Sequence, residues 1–297
     1  MNRKTNFAPE LALLLVLSTL WGASYTFIKI GVETIPPVTL IAARTIIAGA
    51  ILIVILHLRG LKLPTDRRVW KRFLFQAGLN SVVPFTLIAW AEQTTDAGLA
   101  TILNSTSPIF AFLLTALITR HEPVTGCKLF GVTTGLIGIC LTVGIEAFGG
   151  VVYEMWAQLA IVAAAGCYAC AAIFGRNFNG LDPMMPAAGS LVCGAGILIP
   201  ISLIVDRPWA LVPSAASVLA LIALGVFSTA LAFVIYFRLV QTLGSVGTTA
   251  QAYLRVPIGV AIGVLFLGET LSSTIWMGLA CVMVGVIAMT LPTRNQG

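Results

Sequence analysis

The sequence predicts an all-α integral membrane protein: ten transmembrane helices arranged as two inverted five-helix repeats. Three observations carry the expectation. Of 297 residues, 58% are hydrophobic and only 9% charged, with a mean hydropathy of +1.00, against about 25% charged in an ordinary soluble domain. Ten apolar stretches reach the length of about 20 residues that crosses a hydrocarbon core. Finally, a pattern of polar, glycine and proline landmarks recurs half a chain apart. The same arithmetic excludes a soluble core, a disordered chain and a disulfide scaffold, and the net charge of +6 does not call for nucleic acid.

The stretches run near 10–30, 37–57, 71–92, 97–119, 127–146, 154–175, 184–205, 214–237, 245–267 and 272–291. The first follows Arg3 and Lys4 as a signal peptide would, but its apolar run is too long and shows no cleavage region, so it is read as a retained span. The third carries Gln76, Asn80, Ser81 and Pro84, a polarity that suits a helix facing water inside the protein. No run alternates at period two, which excludes a β-barrel.

Lys and Arg near the span ends set the orientation. With a cytoplasmic N-terminus, thirteen fall inside, two outside (Lys29 and Arg207) and two, Arg44 and Arg255, within spans. Glu33, Glu92, Asp96, Glu146, Glu154, Asp206 and Glu269 then lie outside. Both termini are therefore expected in the cytoplasm. The six cysteines fall in or beside spans, and Cys167-x-x-Cys170 has neither a second pair nor a neighbouring histidine. It is read as a pair of small residues at a helix contact, with no metal.

The repeat sets Asp96-Ala-Gly98…Pro108 against Ser245-Val-Gly247…Pro257 at an offset of 149, and Trp21–Lys29 against Tyr168–Arg176 at 147. Glu122 and Glu269 follow the two prolines. Five spans per half is an odd number, so the halves 1–147 and 148–297 must lie upside down relative to each other. Such inverted repeats suit a secondary transporter, because two similar halves can exchange conformations around a midplane site.

On Trp21-Gly22-Ala23-Ser24-Tyr25 through Lys29-x-Gly31, Arg44 with Ala48, Ala97-Gly98 through Ser107-Pro108, and Leu267-Gly268-Glu269, the chain resembles the EamA branch of the drug/metabolite transporter superfamily. Within it, the sequence looks like the YddG-type exporters of aromatic amino acids. Arg120-His121-Glu122, where Leu-Gly-Glu is usual, and Arg255 before Pro257 depart from the family pattern. The resemblance implies a transporter in the bacterial cytoplasmic (inner) membrane whose partners are a small-molecule substrate and the lipid bilayer.

Polar and aromatic residues in mid-span tend to face a cavity or another helix. The substrate cavity is assigned to Trp21, Tyr25, Asn80, Asn104, Gln251, Tyr253 and Arg255. Aromatic side chains would wall it, neutral amides would hydrogen-bond the cargo, and Arg255 would meet a carboxylate. Interhelical hydrogen bonding is the alternative for the three amides. Arg255 lies about 15 Å deep and no Asp or Glu occupies the middle of any span, so water, carbonyls, rings or cargo must compensate it. Arg44 lies nearer the external surface, where snorkelling and a structural role are expected. Pro108 and Pro257 are candidate hinges, with ordinary curvature as the alternative. Gly131/Gly135 and Gly259/Gly263 are assigned to packing within one chain, so a monomer is expected.

These assignments predict transport of aromatic and other neutral amino acids by alternating access, down the substrate gradient, and the resemblance implies that the direction is export. Glu10, the nearest candidate for proton coupling, is expected at a solvated helix end. Drugs or nucleoside-like metabolites, with or without proton coupling, form the alternative cargo. Two boundary histidines, His57 and His121, offer no catalytic pair, so neither an enzyme nor a bound cofactor is expected.

Overall fold

The structure is a computed structural model that describes residues 7–114, 126–147, 152–249 and 251–290. Its first half contains α1 (Phe7–Val32), α2 (Pro37–Leu58), α3 (Arg67–Ala77), α4 (Val83–Ala91), α5 (Ala97–Asn104), α6 (Ser107–Leu114) and α7 (Gly126–Ala147). The second contains α8 (Val152–Phe174), α9 (Met184–Val205), α10 (Ala215–Gly225), α11 (Ala232–Thr249), α12 (Gln251–Leu267) and α13 (Ser273–Thr290). Among the described residues, seven spans are long and apolar enough to cross a membrane, and three shorter apolar helices, in α7, α12 and α13, complete ten. Leu58, Ile204, Leu265 and Phe266 are each more than three-quarters exposed. Water would penalise that surface and lipid accepts it.

Helix starts follow ordinary capping chemistry. The Asp66 side chain accepts from Arg68 N ahead of α3, and Ser214 accepts from Ser217 N ahead of α10, supplying orphan N–H groups with an acceptor. Pro36 and Pro37 open α2, where a missing N–H costs nothing.

The two halves are related element by element. In the third span a π-helical turn, Gly78–Val82, joins α3 to α4. In the eighth, Val226–Leu231 joins α10 to α11 in the same way. The two turns start 148 residues apart, so the repeat reaches the hydrogen-bond pattern of the backbone. Packing follows the same exchange: α2 lies on α9 and α7 on α13, each helix against its own repeat counterpart, while α1 on α12 matches α8 on α5 and α6.

Two boundaries differ from expectation. The fourth span breaks at Ser105–Thr106 between α5 and α6, just before Pro108. Pro108 cannot donate to the Asn104 carbonyl, and the Ser107 hydroxyl donates there instead, at 3.0 Å. The break expected near 238–244 is absent, because α11 runs on to Thr249. Its polar residues, Arg238, Gln241 and Thr242, read as a loop by hydropathy, yet they are compatible with a helix that has left the membrane.

Close approach explains part of the Trp-Gly motif. A Cβ on Gly22 would stand 3.0 Å from Gly259 N, so α1 and α12 cross where neither carries a side chain.

Candidate functional site

A cavity of about 790 Å³ opens between the halves, within the usual range for small-molecule sites. Its inner wall holds Tyr25, Arg44, Asn104 and Arg255. From there it reaches the 175–183 connection, where Asn179 and Gly180 are exposed. Among the described residues, none of those at 92–98 or 268–272 lines it. The cavity therefore opens at one end of the molecule and is sealed at the other.

The seal is polar and specific. Glu269 accepts from the backbone N–H of Ala97 at 2.7 Å and of Gly98 at 2.8 Å. A carboxylate there is favoured by the first free N–H groups and dipole of α5. Gly268 turns the chain at φ +67°, a conformation that suits glycine. Gly98 makes room, since a Cβ on it would lie 2.9 Å from Glu269 Oε2, and a Cβ on Gly263 would meet the same oxygen. The Ala97-Gly98 and Leu267-Gly268-Glu269 motifs are thus two sides of one contact between the halves. Lys29 Nζ donates to Thr95 O at 2.9 Å beside it, and Thr39 binds Asp206 through both its N–H and its hydroxyl. Glu122, the repeat counterpart of Glu269, lies outside the described residues.

Six of the seven residues assigned to the cavity from the sequence line it: Trp21, Tyr25, Asn80, Asn104, Gln251 and Arg255. The side chain of Tyr253 lies outside those described. Of the two prolines, Pro108 lines the cavity beside the Ser105–Thr106 break, whereas Pro257 sits exposed inside an unbroken α12. Asn80 reaches the cavity from the π-turn of the third span. Asn104 donates to the Tyr25 hydroxyl, tying α5 to α1. The Arg255 Nε and the side-chain amide oxygens of Gln76, Asn104 and Gln251 have no hydrogen-bond partner among the described residues.

Two expectations are corrected. Arg44 does not snorkel: it is buried, its Nε donates to Thr229 Oγ1 at 2.9 Å, and its guanidinium lies 3.8 Å from the centre of the Phe85 ring. Phe85 on α4 and Thr229 on the π-turn of the eighth span hold it inside the bundle. Glu10 is no solvated helix end either. It is buried beside α11, where Arg238 approaches at 3.4 Å and the Thr242 hydroxyl donates at 2.9 Å. Because α11 continues as a helix, it carries these partners past the start of α1.

Sequence reasoning missed several lining residues. Tyr168, which packs on Phe85 at 6.3 Å, stands at the repeat position of Trp21. Ser228 stands at the repeat position of Asn80, 148 residues on. Phe233, Tyr236 and Phe237 form an aromatic face with Trp21, whose ring centre is 5.5 Å from that of Tyr236. Their i, i+3, i+4 spacing was the available signal, but in a span this apolar it resembles ordinary packing.

An inverted-repeat membrane bundle with a polar, aromatic-walled cavity open at one end defines a carrier of small molecules. The chain belongs to the EamA-like transporter family, whose profile matches twice, over residues 9–144 and 155–291. It is a transporter and not an enzyme. It is 27% identical over 285 residues to the uncharacterized inner membrane transporter YedA of Escherichia coli, covering 95% of this chain and 91% of that one. It is 25% identical to the uncharacterized transporter YoaV of Bacillus subtilis, covering 92% and 94%. A probable terminal-alkyne amino-acid exporter of Streptantibioticus cattleyicolor is 24% identical, with 96% and 94% covered. A solved crystal structure shares the fold with a TM-score of 0.65 at 19% identity, covering 96% of this chain and 97% of that one.

Proposed function

We propose that this protein carries small amphipathic metabolites, above all aromatic and other neutral amino acids, out of the cell by alternating access and down the substrate gradient. The observation that carries this reading is the composition of the one-ended cavity. It combines, in a single space, an aromatic wall with amide oxygens and an arginine Nε that have no hydrogen-bond partner among the described residues. An amino acid presents the complementary groups: an apolar side chain, an ammonium with three donors and a carboxylate. The relationship to a probable amino-acid exporter supports the same class.

In this reading the protein is a monomer in the bacterial cytoplasmic membrane, divided at 147/148, with both termini in the cytoplasm. The positive residues Arg59, Arg176 and Arg238 then lie beside the open end, near the 175–183 connection, and the Glu269 contact closes the external end. The molecule is in an inward-open state. Cargo enters from the cytoplasm, the cytoplasmic end closes, and the Glu269 contact breaks to release it. A net-neutral cargo does no work against the membrane potential, and no carboxylate lines the cavity among the described residues to bind a coupling proton there.

The test is uptake of labelled tryptophan, phenylalanine and threonine into liposomes holding the purified protein, with no ion gradient imposed. Saturable entry of the aromatic pair is expected, lost on Arg255→Ala or Trp21→Ala while the fold stays intact by thermal melting. Entry that waits for a proton gradient, or a cargo that is not an amino acid, overturns the proposal.

A further inference from the structure

The charge inventory of the cavity is one-sided. Arg44 and Arg255 both line it, and no Asp or Glu does among the described residues. Among the described residues, neither guanidinium forms a salt bridge. Arg44 has the Thr229 hydroxyl and the Phe85 ring, and Arg255 Nε has no hydrogen-bond partner among the described residues. The buried carboxylates of the closed end, Glu92 and Glu269, do not line the cavity and form no ion pair with either arginine among the described residues, although Glu92 lies near enough to Arg44 to act on it electrostatically from behind the wall. Two cations lining a cavity that holds no carboxylate among the described residues leave much of the balancing charge to whatever occupies it.

Resting on the amphipathic-carboxylate reading above, we infer that the cavity recognises its cargo as an anion. Organic acids that lack an ammonium group, such as aromatic 2-oxo and 2-hydroxy acids, are therefore also substrates and cross with a net negative charge. A zwitterion brings one carboxylate and one ammonium, so the occupied site keeps both arginine charges in excess and gains a like charge beside them. A monocarboxylate brings the first without the second. The neutral acceptors of Gln76, Asn104 and Gln251 can hydrogen-bond an ammonium but cannot offset its charge. At the effective dielectric of such sites, removing one like charge several ångströms from a guanidinium is expected to tighten binding by about tenfold. The aromatic wall of Trp21, Phe233 and Tyr236 receives the same ring in either compound.

A charged cargo makes transport electrogenic. For a monoanion, a potential of 100 mV, negative on the cargo side, supports a concentration ratio of about 50-fold at equilibrium. With the cavity open to the cytoplasm, the resting potential would expel such acids without any coupling ion, whereas amino-acid flux would follow its own gradient.

Liposomes holding the purified protein are loaded with labelled phenylpyruvate, phenylalanine or phenethylamine, and a potential is imposed with potassium and valinomycin. Phenylpyruvate efflux is expected to accelerate when the lumen is made negative, phenylalanine efflux to ignore the potential, and phenethylamine to stay inside. Phenylpyruvate should compete with phenylalanine at equal or lower concentration, and Arg44→Gln or Arg255→Gln should weaken the acid more than the amino acid. Transport of phenylalanine with neither flux nor competition from phenylpyruvate overturns this inference and leaves the amino-acid reading standing. Phenylpyruvate flux alone supports the inference and removes the amino-acid reading. Movement of phenethylamine alone, or of none of the three, overturns both. The comparison of compounds uses the unaltered protein, so it holds even where a variant fails to fold.

Discussion

Glu269 shows how one residue can hold a conformation. Its two carboxylate oxygens accept two adjacent backbone N–H groups across the interface between the halves. Glutamine in its place offers one acceptor and turns an NH2 group toward the other N–H. Charge-assisted bonds of this kind are worth about 1.5–3 kcal/mol. Glu269→Gln should therefore shift the balance toward opening of the sealed end by roughly tenfold or more. A single cysteine at Asp96, in a background without the six native cysteines, reports this as faster labelling by a membrane-impermeant thiol reagent. An unchanged labelling rate would count against a latch. From the sequence, Glu269 was legible only as part of a motif. Its partners lie about 170 residues away, and no local pattern reveals which N–H groups a carboxylate will find. Arg44 was misplaced for a similar reason: depth along a span was known, but not that α4 and the π-turn of the eighth span enclose it.

At the scale of elements, the fourth span is the part built to bend. Its hydrogen-bond ladder is interrupted at Ser105–Thr106, Pro108 follows at once, and both flank the cavity. If bending here accompanies opening and closing, Pro108→Ala, which permits a continuous helix, should lower turnover several-fold while leaving the concentration for half-maximal transport nearly unchanged. Kinetics of phenylalanine flux separate the two quantities. Ordinary curvature predicts no change in either. Hydropathy placed the spans well because burial in lipid demands long apolar runs. It could not reveal the π-turns, which are set by how each helix backbone satisfies its carbonyls against its neighbours. Nor could it show that α11 continues through Thr249, since leaving the membrane and ending a helix are separate events.

For the whole molecule, sealing one end while opening the other is the property that makes a carrier. The open end is not unconstrained: Glu10 meets Arg238 and Thr242 there, joining α1 to α11. Half-exposed pairs of this sort contribute little, about 0–1 kcal/mol after screening. Glu10→Gln is accordingly expected to leave downhill phenylalanine flux within about twofold of the unaltered protein and, in the uncoupled scheme, to cause no loss of proton dependence. Flux measured with and without a pH gradient across liposomes checks both points, and a proton-driven flux abolished by the substitution would falsify the uncoupled scheme.

What the sequence determined by itself is everything that follows from local chemistry and from duplication. Apolar length made the chain a membrane protein of ten spans, the odd number per half made the repeats inverted, and mid-span polarity marked Trp21, Tyr25, Asn104 and Arg255. Tertiary structure decided which of those side chains share one space, that Arg44 joins them with no carboxylate lining the cavity among the described residues, and which end is shut. The division has a physical cause. Transfer from water to lipid acts on each segment separately and leaves its mark in composition, whereas a cavity and its seal exist only where helices far apart in the chain meet.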